Sequence, residues 1–101
     1  MAIKKEYSKD KSVCKVTFSL PREVAMQFDE IAIVGDFNNW DPKANLFYCV
    51  KRGIHIVSIE LEANKEYQFR YLADGEVWLN ESEADKHVAT PYGSENSVLV
   101  L

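Results

Sequence analysis

Cys14, Val16, Phe18 and Leu20 alternate with Lys15, Thr17 and Ser19, and Pro21 ends the run. A period of two is what a strand with one buried face requires, and a helix cannot satisfy it. The pattern recurs. Val57, Ile59 and Leu61 share a face over 54–61, and over 65–73 Tyr67, Phe69 and Tyr71 oppose Gln68 and Arg70. The apolar run Ile31-Ala32-Ile33-Val34 predicts a buried strand over 30–35, and a weaker strand is expected over 45–51. Val77-Trp78-Leu79 and residues 97–101 add two short ones. Breakers such as Pro21, Gly53, Asp74-Gly75 and Pro91-Tyr92-Gly93-Ser94 separate these segments, and residues 22–29 form a short helical turn or a crossing loop. About seven short strands with turns spaced this way predict an all-β, immunoglobulin-like antiparallel β-sandwich. Residues 1–12 carry charge and Ser without periodicity and are expected to be a flexible arm, leaving 13–101 as the single domain.

Size and charge narrow the function. A chain of 101 residues supports one core, with no room for a catalytic domain plus an accessory one. The net charge of -4 argues against nucleic acid or an anionic membrane surface as partner. No apolar run approaches the roughly 20 residues that span a bilayer, and the first residues lack the apolar stretch of a secretion signal. A cytoplasmic protein is therefore expected. Cys14 alternates with core positions and reads as a small core residue, while Cys49, His55 and His87 have no partner at metal-ligand spacing. Neither metal nor cofactor is expected.

The chemistry concentrates in two turns. Gly35-Asp36-Phe37-Asn38-Asn39-Trp40 follows the apolar strand, and Asp41-Pro42 blocks its continuation. Phe37 is near enough to the strand end to plug the core, whereas Trp40 lies beyond it in a polar turn, where an exposed indole is costly without a use. The second tryptophan follows Asp74-Gly75. A two-residue loop would set Trp78 opposite Tyr71, in the core. A three-residue loop, Ala73-Asp74-Gly75, sets it opposite Arg70, on the outside. One residue of slip flips the face. Because the outside assignment buries Val77 and Leu79 instead of Glu76 and Asn80, it is the one expected. Two outward indoles with an Arg nearby suit a sugar, whose C–H face stacks on an aromatic ring while its hydroxyls meet polar groups.

Val34-Gly35-Asp36-Phe37-Asn38-Asn39-Trp40, then Tyr67-Gln68-Phe69-Arg70-Tyr71-Leu72-Ala73-Asp74-Gly75 with Trp78 behind it, then Gly93-Ser94-Glu95-Asn96-Ser97 follow in one order. That order resembles the glycogen-binding domain of the AMP-activated protein kinase β subunit. More broadly it resembles the early-set modules of isoamylases and glycogen branching enzymes (carbohydrate-binding module family 48), over about residues 13–101. The resemblance implies a non-catalytic module that binds an α-1,4-glucan such as glycogen, starch or maltodextrin. It implies that Trp40 and Trp78 stack on the sugar and that Arg70 and Asn96 bind hydroxyls. Ser94 would be a neighbouring polar contact, and Tyr92 would project into the concave side of the glucan. Two departures stand out: Arg70 fills a position that is Lys in the kinase subunit, and the second hairpin has one extra residue before its tryptophan.

Two other classes compete. Glu81, Glu83 and Asp85 cluster, and paired carboxylates can hydrolyse glycosides. Their setting reads as a solvated acidic turn, and no nucleophile constellation is evident, so an enzyme is not expected. A protein-interaction module with a degenerate sugar site, docking onto a glucan-metabolising enzyme or a regulatory complex, is the alternative, since Trp40 and Trp78 could equally anchor a protein.

Overall fold

In the computed structural model, which describes residues 1–101, the alternating segments pair into two antiparallel sheets. β1 (Ala2–Tyr7), β2 (Val13–Leu20), β4 (Tyr48–Lys51) and β5 (Ile54–Glu62) form the first, in the order β1-β2-β5-β4. β3 (Ile31–Gly35), β6 (Glu66–Ala73), β9 (Glu95–Val100) and β8 (Lys86–Ala89) form the second in that order, and β7 (Val77–Leu79) also pairs with β6. A single helical turn, α1 (Arg22–Ala25), starts at Pro21 and links β2 towards β3. The sheets stack as an immunoglobulin-like β-sandwich. No helix is long and apolar enough to cross a membrane.

The core lies between the sheets and is built from the inward halves of the alternating strands. Cys14, Val16, Phe18 and Leu20 of β2 are fully buried, as are Phe69 and Tyr71 of β6. Phe18 meets Phe69 edge-on with centroids 5.3 Å apart, and Phe47 meets Tyr71 at 5.5 Å. Such pairs each add about 1 kcal/mol to the area they bury. Phe37 packs against this core, as its place in sequence suggests.

Two segments, and one side chain within the second, differ from the sequence expectation. The arm expected at 1–12 is an edge strand over Ala2–Tyr7, paired with β2 along its whole length. Ile3 packs on the core, but Lys5 takes the next inward position, opposite Val16. Its ammonium reaches across the open side of the sandwich to Asp85 (2.8 Å) and the Val100 carbonyl (3.0 Å). The polar run 81–90 contains β8, whose one half-buried apolar residue is Val88. Glu81, read as part of a solvated turn, is instead 0% exposed: Tyr71 Oη donates to one carboxylate oxygen (2.7 Å) and the Glu83 amide to the other (3.0 Å). Burial first, and then the adjacent Glu81 carboxylate, push the Tyr71 phenol far above its ordinary range, so it stays a proton donor.

Candidate functional site

The outer face of the second sheet owes its geometry to how β6 is shared. β3 runs along one side of β6. On the other side, β9 pairs with Glu66–Phe69 and β7 with Tyr71–Ala73, end to end. Arg70 sits at the junction, its side chain on the outward face because Phe69 and Tyr71 point in.

Trp78 comes to the same place by a different register from the expected one. The loop is Asp74-Gly75-Glu76, with Ala73 paired to Val77 and Trp78 opposite Leu72, not Arg70. Asp74 and Gly75 are both left-handed (φ 52° and 70°). The Asp74 carboxylate is held by the amides of Asp29 and Glu30 (both 2.9 Å), which places the turn. The displacement from the expected pairing is two residues, so the face is unchanged. Trp78 is 49% exposed, and the Arg70 guanidinium carbon lies 6.0 Å from its ring centroid, at the outer reach of a cation–π contact.

Trp40 is carried to this face by a strained turn. Asp36–Asn38 make one turn of 3-10 helix, and Asn39 and Trp40 follow, both at φ 56°. A left-handed backbone is uncommon for a bulky side chain and costs on the order of 1–2 kcal/mol per residue. It persists because its surroundings over-determine it. Asn38 accepts from the Gly35 amide (3.0 Å) and donates to the Ile33 carbonyl and to Asn45, while the Trp40 amide donates to the Gly35 carbonyl (3.0 Å). The indole packs on Ala32, Val34 and Leu72, so it is half-buried and shows the remaining face.

The third contribution is the β8–β9 hairpin. Thr90 and Ser94 close it by backbone (2.8 Å) and hydroxyl (2.9 Å) hydrogen bonds, and Tyr92 at its tip is 92% exposed. Arg70 donates through Nε to Asn96 Oδ1 (2.6 Å) and through Nη2 to Ser94 Oγ (2.5 Å). Asn96 in turn donates to Gln68 Oε1 (2.9 Å). Arg70 is thereby fixed before any ligand arrives.

All six residues singled out in the sequence, Trp40, Arg70, Trp78, Tyr92, Ser94 and Asn96, line one open groove of about 450 Å³. Thr90 and Pro91 complete it. Sequence reasoning did not select those two, although their place in a Pro-Tyr-Gly turn beside Ser94 was a usable signal. Arg70 is the only charged residue of the lining. The carboxylates weighed as catalytic lie elsewhere. Glu81 is in the core beside Tyr71, and Asp85 is bound to Lys5 and the Val100 amide. No group of three or more His, Cys, Asp and Glu side chains is arranged to hold a metal ion. What the groove offers is two aromatic faces, hydrogen-bond donors held in place by neighbouring side chains, and an exposed tyrosine. No protein-family model and no curated protein matches this chain.

Proposed function

We propose that this chain is a non-catalytic α-glucan-binding module of the kind its sequence resembles, the early-set modules of glucan-active enzymes and of the AMP-activated protein kinase β subunit. One observation carries the reading: two indole faces share one groove with an arginine already held by Asn96 and Ser94. Sugar rings stack on the indoles while the free N–H groups of Arg70 and Asn96 meet hydroxyls. Each aromatic or polar contact contributes about 1 kcal/mol, and after the cost of association the expected Kd is roughly micromolar to millimolar. Weak single sites suit a polymer that offers many of them.

Titration with maltoheptaose or β-cyclodextrin, followed by indole fluorescence, tests this. A saturable change is expected, and Trp78→Ala should remove most of it while costing under about 1 kcal/mol of stability, since the ring is half in solvent. Absence of any tryptophan response at millimolar sugar rejects the proposal.

A further inference from the structure

We infer that Asp36 is a positioning residue for the groove, a clamp that fixes the Trp40 ring and uses up its N–H. This deepens the glucan reading and rests on it. If β3 continued one residue past Gly35, Asp36 would stand opposite Gln68. The strand ends there, and the Asp36 side chain takes over the pairing: Oδ2 accepts from the Gln68 amide at 2.8 Å. The other oxygen, Oδ1, accepts from Trp40 Nε1 at 3.0 Å. One carboxylate thus ties the indole to the backbone of β6, although Asp36 itself is solvent-exposed.

Two consequences follow. The Asn39-Trp40 backbone is left-handed at both residues, and such a conformation persists only under restraint from its surroundings, part of which must act on the indole that the turn carries outward. The clamp supplies it. In addition, the indole N–H is already satisfied, so Trp40 offers a ligand its ring face alone. Hydrogen bonding to hydroxyls falls to Arg70 and the side chains that hold it. Gln68 links Trp40 to Arg70, because its backbone amide donates to Asp36 while its side chain accepts from Asn96, which holds Arg70. The chain Trp40–Asp36–Gln68–Asn96–Arg70, whose middle members Asp36 and Gln68 lie outside the groove lining, sets the spacing of stacking face and donors before sugar binds.

The test is Asp36→Asn, nearly isosteric but able to accept only one of the two bonds, with its NH2 turned against the other donor. In the sugar-free protein the Trp40 Nε1–H resonance should shift and its solvent exchange should quicken. The Trp78 Nε1–H, which makes no such bond, serves as the internal reference. Maltoheptaose should bind about five- to tenfold more weakly, the equivalent of one net hydrogen bond and some added disorder. If this variant does not fold, Asp36→Glu keeps both oxygens, displaces them by a methylene and should move the same resonance. An unchanged Trp40 Nε1–H signal in the folded variant overturns the clamp. So does maltoheptaose affinity within twofold of the unaltered protein. Failure of the unaltered protein to bind sugar overturns the glucan reading instead, and the indole signal in free protein still decides the clamp.

Discussion

At Gly35 the chain passes β6 so closely that a side chain has no space. A Cβ there would lie 2.6 Å from the Gln68 carbonyl oxygen and 2.8 Å from Phe69 Cβ, neither of which can swing away. Gly35 is needed for this approach and not for its backbone angles, since its φ of -170° suits any residue. Gly35→Ala must push β3 off β6 at the point from which the Trp40 turn departs. The expected cost is about 1–3 kcal/mol in urea unfolding, together with weakened maltoheptaose binding, because Asp36 and Trp40 move with the strand end. A variant of unchanged stability would show that the strand end is looser than its contacts imply. Other residue-scale features escape a reading by type. Asp36 and Gln68 act through bonds to a neighbour's N–H or amide, so nothing in their identity marks them. Trp40, Trp78 and Arg70, by contrast, announce themselves as large or charged groups at positions that turn or strand parity points outward.

Among the elements, β1 shows how a tertiary contact can hide a strand. Its inward positions are Ile3 and Lys5, and a lysine in the second breaks the apolar alternation from which β2 and β6 were legible. What makes Lys5 acceptable there is Asp85. Burial raises the Asp85 carboxyl pKa, but hydrogen bonds from Lys5 and the Val100 amide, with the Lys5 charge, outweigh it and hold the pKa below the ordinary 3.8. A depressed carboxylate pKa means that the folded state favours the ionised form. Its stabilisation is therefore complete above 3.8 and fades as pH falls through the lower folded value. Asp85→Asn should cost about 1 kcal/mol at pH 6, the usual size for a partly exposed pair. That difference should shrink towards zero as pH falls through the folded value, where Asp85 itself becomes neutral. A penalty that stays constant with pH would assign the effect to packing. The other elements differ for related reasons. β8 has only Val88 to signal it, and the β6–β7 register is set by Asp74 accepting from Asp29 and Glu30, bonds about 45 residues distant in sequence. Side-chain parity survived that error because the slip was two residues, and so the outward face of Trp78 was legible where its partner was not.

For the whole molecule, charge separates the two classes of partner. The chain carries a net charge of -4, yet no carboxylate lines the groove and its one charge is Arg70, already engaged by Asn96 and Ser94. A neutral glucan gains nothing from long-range attraction to such a surface. Its affinity depends on stacking and short-range hydrogen bonds, which salt does not screen. An acidic protein segment drawn to Arg70 would depend on it, against repulsion from the rest of the surface. Raising NaCl from about 50 to 500 mM shortens the screening length several-fold. Maltoheptaose affinity, followed by indole fluorescence, should change by less than about twofold over that range. If maltoheptaose fails to bind at either salt concentration while an acidic peptide binds and weakens tenfold or more over the same range, the groove's occupant is an acidic partner whose anchor is Arg70.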